Sequence, residues 1–449
     1  MFLFLPKDVE FIIDTLYKKG YEAFVVGGCV RDDILGKKPN DYDITTSAKP
    51  NKVKEIFQSL KLKVIETGIQ HGTITLVLNN INYEITTYRI EGDYLDNRRP
   101  SKVFFTENLK EDLKRRDFTI NAMAYNNYVG LVDFFHGRED LNKGIIRSIG
   151  NANDRFDEDG LRMLRAIRFS TQLNFKIEEK TKDAILSRSS LIKNISIERI
   201  IEELKKILIS AIPSKGINEL VNLKLMEYII PEIINLVGFN QQSKYHDKDI
   251  YYHTMEVLDN VENNISLRLA ALLHDIGKPN TFTLDEKGGH FYFHEAEGAK
   301  ICKSILERLK FDNKIKETVV ILVKNHMRVI KGNNKYKIKK YINEVGQENL
   351  NLIFSLMIAD RLASHKDYRG YDDILNMKSM CNKIITSNEP LKVKDLQITG
   401  DDIIQCGIKP GKEIGNILNN LLEKVLKDPS LNEKNILINE ILVYTNNNK

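Results

Sequence analysis

The spacing of the apolar residues changes once along this chain, near Gly150, and that change limits the possible folds more than any other feature. Before it, short runs rich in β-branched and aromatic residues alternate with turns: FVVGG, YDITT, KVIET, TITLVLN, YEITTYR and GLVDFF. Such runs read as strands. Beyond it, residues 154–440 keep helical spacing almost throughout, broken at Pro213, Pro231, Gly238, Pro279, Gly288-Gly289, Gly332 and Pro410-Gly411. The chain is therefore predicted to form an α+β head, a mixed sheet with helices, followed by a long all-helical remainder. An amphipathic helix over residues 7–20, with Val9, Ile12, Ile13 and Leu16 on one face, is expected ahead of the first strand. Asn79-Asn80 is expected to close a hairpin between TITLVLN and INYEITTYR. With 449 residues the chain exceeds what one hydrophobic core spans, so two to four domains are expected.

Charge narrows the class of partner. The net charge of +5 suits a polyanion without requiring one. It is unevenly placed: residues 300–345 carry thirteen Lys and Arg against four Asp and Glu. That excess reads either as solvated helix faces or as a stripe following a phosphate backbone. The cysteines, Cys29, Cys302, Cys381 and Cys406, are scattered, which argues against a disulfide framework and for a reducing compartment. The opening MFLFLPK is too short an apolar run for a signal peptide or a span. A cytoplasmic protein without a membrane partner is expected, with its oligomeric state open.

The stretch FVVGGCVRDDILGKKPNDYDITT (24–46) places a glycine pair, an arginine and two aspartates between two apolar strands. Asp41 and Asp43, two apart on an extended strand, would point to one face. Side by side they repel, and each raises the other's pKa. A divalent cation between them removes that penalty, and hard ions such as Mg²⁺ prefer carboxylate oxygens. Gly27-Gly28 lets backbone N–H groups approach phosphates without interference from a Cβ, and Arg31 is placed to add a charged fork. In DEDGLRMLRAIRF, Asp159, Arg162, Arg165 and Arg168 recur every three residues, so successive members are helix neighbours.

The block GGCVRD...LG..PNDYDITT resembles the signature of the nucleotidyltransferase superfamily, in the branch of bacterial tRNA CCA-adding enzymes and poly(A) polymerases. EDLKRRDFTINAMAY (111–125) is similar to that branch's ribose-and-phosphate motif, and RFDEDGLRMLRAIRFSTQLNF (155–175) to its base-selecting helix. The resemblance spans about residues 20–240. It implies Mg²⁺ on Asp41 and Asp43, with Glu84 as a third acidic residue and Asp117 as its rival. It implies triphosphate contacts from Gly28, Arg31 and Arg116, and ribose contacts from Asp117 and Asn121. Asp159 and Arg162, with Arg165 and Arg168 behind them, would read the Watson–Crick edge of cytosine or adenine, so that the protein itself is the template. DNRRPSKVFF (96–105) looks like the loop that lets full enzymes of this branch switch from C to A. ETGIQHGTITL (66–76) looks like the CCA-adding version of its segment, where poly(A) polymerases have a more basic block. The expected reaction is template-independent addition of CCA to tRNA from CTP and ATP. The alternatives are a poly(A) polymerase, an enzyme adding only the terminal A, or a phosphohydrolase with a degenerate head.

That last alternative rests on HDKDIYYHTMEVL (246–258) and RLAALLHDIGKP (268–279). An adjacent His274 and Asp275 within a very apolar helix need partners, because a buried unpaired charge is costly. His253 upstream and Asp360 downstream complete an order H…HD…D. It resembles the HD metal-dependent phosphohydrolases and implies a divalent transition metal. His294 and His326 are further candidates, since some members bind a second ion. The predicted organisation is a head (1–145), a helical neck (146–240), an HD-type helical domain (241–370) and a helical tail (371–449).

Overall fold

The computed structural model describes residues 3–92, 102–242, 248–286 and 288–447. Residues 96–101 of the expected switching loop, and His246 and Asp247 of the second motif, lie outside these. The chain divides into two compact units, Met1–Ile234 and Asn235–Lys449.

The first unit opens with α1 (Lys7–Lys18), which buries Val9, Ile12, Ile13 and Leu16 as its spacing predicts. A seven-stranded sheet follows. It is built from β1 (Ala23–Val26), β2 (Asp43–Thr46), β3 (Lys63–Gly68), β4 (Thr73–Leu78) and β5 (Ile81–Thr87), joined by β8 (Ala124–Asn126) and β9 (Gly130–Val132). The order is β3-β4-β5-β2-β1-β8-β9. Only β2 and β5 run parallel; every other pair is antiparallel. The intervening β6 (Arg89–Glu91) and β7 (Val103–Phe105) form a separate two-stranded ribbon. Between β4 and β5, Asn79 and Asn80 adopt φ of 51° and 63° with Leu78 paired to Ile81. This two-residue turn with both φ positive matches the twist of the strands.

One face of the sheet packs Phe24, Val26, Tyr88 and Ala124 against Leu109 and Leu113 of α4 (Leu109–Lys114). Each such fully buried apolar side chain contributes about 1.5–3 kcal/mol. Two further helices join the sheet region: α2 (Gly28–Ile34) after β1, and α3 (Pro50–Ser59) after β2. After α5 (Gly137–Lys143) the unit is helical, with α6 (Ala152–Glu158), α7 (Leu161–Leu173), α8 (Glu179–Arg188), α9 (Ile197–Leu208), α10 (Pro213–Asn222) and α11 (Met226–Ile229). A short parallel pair, Ile145–Ile146 with Lys176–Ile177, interrupts them.

The second unit is helical from α12 (Ile250–Asn260) to α22 (Lys434–Asn447), except for one hairpin, Thr283–Asp285 with Gly288–His290. Helical spacing did not anticipate that hairpin. Gly288 at φ 113° and Gly289 lie against the Gln242 and Gln241 carbonyls, so a side chain would not fit there. Of its helices, α13 (Ile265–Leu273), α14 (Lys278–Thr281), α15 (His294–Arg308), α16 (Asn313–Asn325), α17 (Lys335–Val345) and α18 (Leu350–Ala363) contain or flank the second motif. Among the described residues, no helix is long and apolar enough to cross a membrane.

Candidate active site and candidate metal centre

The head motifs meet in one cleft of about 520 Å³, lined by Gly27, Gly28, Arg31, Asp43, Asn121, Asp159, Leu161 and Phe169 together with further arginines. Eight arginines face it, Arg31, Arg89, Arg115, Arg116, Arg162, Arg165, Arg168 and Arg199, against Asp43, Asp117 and Asp159. A larger cleft of about 770 Å³ runs past Phe134, Ser148 and Ser187 and is lined by none of the predicted site residues.

The glycine pair shapes the cleft as the spacing suggests. Gly27 sits at φ 80°, and a Cβ there would lie 3.0 Å from Arg116 Nη1, so both conformation and space select glycine. Gly28 begins α2. The aspartates differ from expectation. Strand β2 starts at Asp43, opposite Val26, so Asp41 lies before the strand and not on it. Because β1 ends where Gly27 turns, the ladder has no partner to offer Asp41.

Asp43 and Glu84 are nevertheless neighbours, since Ile44 pairs with Ile85 on parallel strands and the preceding residues stand level. Desolvation raises Asp43 above the usual carboxylate range; Asp41 and Glu84 add to the rise while Arg116 opposes it. Three acidic groups therefore act on one spot. Among the described residues, these three carboxylates are not drawn into a set with all ligand atoms within 4.8 Å. Exposed oxygen donors of this kind suit a hard cation that keeps its waters.

Asp117, the rival third acid, is otherwise engaged. Its Oδ1 accepts from Phe118 N at 2.8 Å and Asn121 Nδ2 at 3.1 Å, and its Oδ2 accepts from Arg165 Nε at 2.7 Å. Burial alone would raise this carboxyl, but Arg165 and the Asn121 hydrogen bond outweigh burial and hold it at about 2. Asn121 in turn accepts from Arg31 Nη1 at 2.7 Å. Asp117→Asn is expected to destabilise the head by on the order of 1–2 kcal/mol at neutral pH, since half-buried Arg165 loses the partner of its charge. A depressed folded-state pKa contributes stability in full above the ordinary carboxylate range and loses it as pH falls toward 2. Urea unfolding at pH 7 and pH 3 checks this: the gap between the two proteins should narrow at the lower pH.

Phe169 explains why three arginines can crowd together. Its ring lies 5.1 Å from the Arg31 guanidinium, 5.4 Å from that of Arg165 and 4.1 Å from that of Arg168. Cation–π attraction and the counterion Glu203, 2.8 Å from Arg168 Nε, offset their mutual repulsion. Burial still lowers Arg168, to about 10.

The base-selecting candidates depart from a single helix. Arg162, Arg165 and Arg168 are on α7, but Asp159 lies in the break between α6 and α7, with φ −142° and ψ 103°. Its Oδ1 caps α7 by accepting from Leu161 N at 3.1 Å. Arg199 of α9 forks onto both its oxygens, at 3.3 and 2.8 Å. Arg162 donates to Glu158, to the Arg155 carbonyl at 3.0 Å and to the Arg115 carbonyl at 3.1 Å. Asp159 and Arg162 are thus each oriented by other groups at one wall of the cleft.

Sequence reasoning missed Arg89, Arg115 and Arg199, and it missed Asp112. Buried Asp112 accepts from Thr45 Oγ1 at 3.1 Å, Arg89 N at 3.2 Å and Arg115 Nε at 2.9 Å, tying α4 to β2 and holding the arginine pair in place. The EDLKRRD run contained the signal: an aspartate i−3 to an arginine on a short helix.

The second unit brings its six candidates into one buried cluster. His274 caps the C-terminal end of α13 and Asp275 lies in the following turn, so the pair ends the apolar helix and is not inside it. Gly277 lets the backbone of α15 approach this turn: a Cβ there would meet the His294 carbonyl at 2.3 Å. His253 comes from α12, His294 opens α15, His326 caps α16 and Asp360 is on α18. His253 Nε2 lies 3.0 Å from Asp360 Oδ1, and His274 Nε2 lies 3.3 Å from Asp275 Oδ2. Two triads, His253/His274/Asp275 and Asp275/His294/His326, each offer ligand atoms within 4.8 Å of one another. Burial and the neighbouring His274 and His294 push His326 down to about 3, so it is a neutral donor. The mixture of imidazole and carboxylate suits a divalent transition ion.

Comparison with known proteins gives three family matches: "Poly A polymerase head domain" over residues 23–147, "Probable RNA and SrmB- binding site of polymerase A" over 174–236, and "HD domain" over 250–364. The chain is 35% identical over 429 residues to a CCA-adding enzyme of Ligilactobacillus salivarius, covering 95% of this chain and 94% of that one. It is 33% identical over 439 residues to a CCA-adding enzyme of Pediococcus pentosaceus, covering 97% of each. The crystal structure of the Bacillus stearothermophilus CCA-adding enzyme in complex with CTP superposes with a TM-score of 0.73 at 26% identity, covering 99% of both chains.

Proposed function

The chain belongs to the CCA-adding enzyme family, and from that membership we propose that it adds C, C and A to the 3′ end of tRNA without a nucleic-acid template, consuming CTP and ATP and releasing pyrophosphate. One observation carries the reading: Asp43, the arginines gathered on Phe169 and the oriented pair Asp159 and Arg162 line the same cleft. A cleft with acidic groups at one place, phosphate-binding cations beside them and a polar base-reading wall has the parts that nucleotidyl transfer needs.

Asp41, Asp43 and Glu84 would hold Mg²⁺, which when bound neutralises triphosphate charge and makes the tRNA hydroxyl a better nucleophile. The remaining work belongs to the chain. Arg31 and Arg116 bind the phosphates beside the Gly28 amide. Asn121 and Asp117 face the ribose, and Arg165 positions Asp117. The tRNA 3′ oxygen forms its bond to the α-phosphorus in line as the bond to pyrophosphate breaks. Positioning and charge stabilisation supply most of the rate in such transfers. Asp159 accepts from the exocyclic amino group of cytosine or adenine, and Arg162 donates to the adjacent ring nitrogen. Uracil and guanine present the opposite polarity there and are refused.

Several coarser elements complete the reading. The helical stretch carrying the basic excess of residues 300–345 meets the tRNA backbone by shape and charge. The cluster around Asp275 takes a divalent transition metal. A cytoplasmic setting and the head, neck, HD and tail division at 145, 240 and 370 belong to the same proposal. Labelled CTP given alone to tRNA lacking its CCA should yield products two nucleotides longer, and CTP with ATP products three longer. Failure to incorporate CTP would overturn the reading in favour of an enzyme that adds only A.

A further inference from the structure

Asp112 is fully buried on α4 and does not line the nucleotide cleft, yet its two oxygens serve different parts of it. Oδ1 accepts from the Arg89 main-chain N–H at 3.2 Å and from Arg115 Nε at 2.9 Å. Oδ2 accepts from Thr45 Oγ1 at 3.1 Å and lies 3.8 Å from Arg116 Nη2. Thr45 stands two residues beyond Asp43 on β2, so the two side chains share a face of the sheet. Burial lowers the pKa of Arg116, and Asp112 is the first group that offsets it. One carboxylate therefore reaches from the strand of the acidic groups to the cations that meet the phosphates.

Two readings of this carboxylate predict opposite effects on nucleotide binding. As a charge it works against the site, because a fixed anion near the triphosphate pocket repels the incoming phosphates. Removing it would then tighten binding. As a strut it fixes the spacing between Asp43 and the pair Arg115 and Arg116, and group transfer is sensitive to misplacement by an ångström. Removing it would then loosen the phosphates. Full burial, three hydrogen bonds and an ion pair at the two oxygens favour the strut, since a satisfied buried polar network is rigid.

We propose that Asp112 is a positioning residue of the transfer reaction: it holds Arg115 and Arg116 at a fixed distance from Asp43 and so sets the affinity for the triphosphate without touching the nucleotide. Arg115, which lines the cleft, joins Arg116 as a phosphate-binding side chain. The inference rests on the nucleotidyl transfer proposed above. The base-reading wall is outside its reach, because Arg162 donates to the Arg115 carbonyl and not to its side chain.

Asparagine and alanine separate the two readings, because both remove the charge and only alanine removes the strut. In Asp112→Asn the amide oxygen takes the place of Oδ1, facing Arg89 N and Arg115 Nε. The amide nitrogen takes the place of Oδ2 and donates to Thr45 Oγ1, which still donates to the Thr86 carbonyl at 3.2 Å. Asp112→Ala keeps none of these contacts.

Equilibrium dialysis of the full chain with labelled CTP at fixed Mg²⁺ reads the affinity. Displacement by pyrophosphate and by cytidine divides it between phosphate and base. CTP and pyrophosphate should bind Asp112→Ala at least 10-fold more weakly than Asp112→Asn, and Asp112→Asn should match wild type within threefold. Cytidine should bind both variants within twofold of wild type. Single-turnover CTP incorporation at saturating CTP should fall at least 10-fold in Asp112→Ala and recover to within threefold of wild type in Asp112→Asn. Equal CTP affinity in the two variants, or tighter binding in both, overturns the strut and leaves Asp112 a charge. A parallel loss of cytidine overturns it too, because the change is then a general loosening of the fold. If Asp112→Ala does not fold, Thr45→Val decides in the same assay: CTP must weaken at least threefold with cytidine unchanged. A wild type that binds CTP without incorporating it defeats the proposed transfer and leaves the dialysis comparison standing.

Discussion

Asp43→Asn is expected to reduce nucleotide incorporation by at least about 10³-fold while leaving the fold intact. The size follows from the role: removing one preorganised group that stabilises transition-state charge commonly costs about 10²–10³-fold, and an electrostatic anchor shared with a metal costs more. The fold should survive because Asp43 is exposed at the head of β2, where repulsion from Asp41 and Glu84 offsets the attraction of Arg116. Neutralising it leaves stability unchanged within about 0.5 kcal/mol. Single-turnover incorporation of CTP, with a thermal melt of the same preparation, checks both halves. Activity within tenfold of wild type would remove Asp43 from the centre of the mechanism.

Asp159→Ala should change which base is accepted more than how fast the chemistry runs. The carboxylate can accept from an amino group and repels the carbonyl that uracil presents at the same place. A paired polar contact of this kind discriminates between bases by about 1–3 kcal/mol. The ratio of kcat/KM for CTP over UTP is therefore expected to drop by about 10- to 100-fold, mostly through loss of CTP efficiency. The variant also strips Arg199 of its partner and α7 of its cap. Losing the cap costs about 1 kcal/mol. Comparing CTP with UTP in one preparation cancels that structural effect, and an unchanged ratio would show that Asp159 does not read the base.

Local patterns were readable where a residue's neighbours in sequence are also its neighbours in space. The turn at Asn79-Asn80, the buried stripe of α1 and the arginines of α7 are of this kind. Asp41 and Asp159 show where the reading fails. Each was placed within a regular element by its spacing, and each lies just outside one, because the element ends for reasons set elsewhere. Strand β2 begins only where β1 can pair with it, and the extended backbone of Asp159 itself separates α6 from α7. Arg199 and Arg89 could not be found at all, since only folding carries α9 and the start of β6 to the cleft. The order H…HD…D was visible in sequence, but the division of four imidazoles between the two oxygens of Asp275 needed coordinates.

The fork from Arg199 to Asp159 joins two parts of the first unit that look separate along the chain. Arg199 stands on α9, inside the stretch matching the RNA-binding family description, whereas Asp159 lies ahead of that stretch, just before α7. A guanidinium gripping both oxygens acts as a short tether, so sliding α9 by an ångström would drag the carboxylate with it. A shift of α9 would thereby be felt at the mouth of α7 through a single pair of side chains.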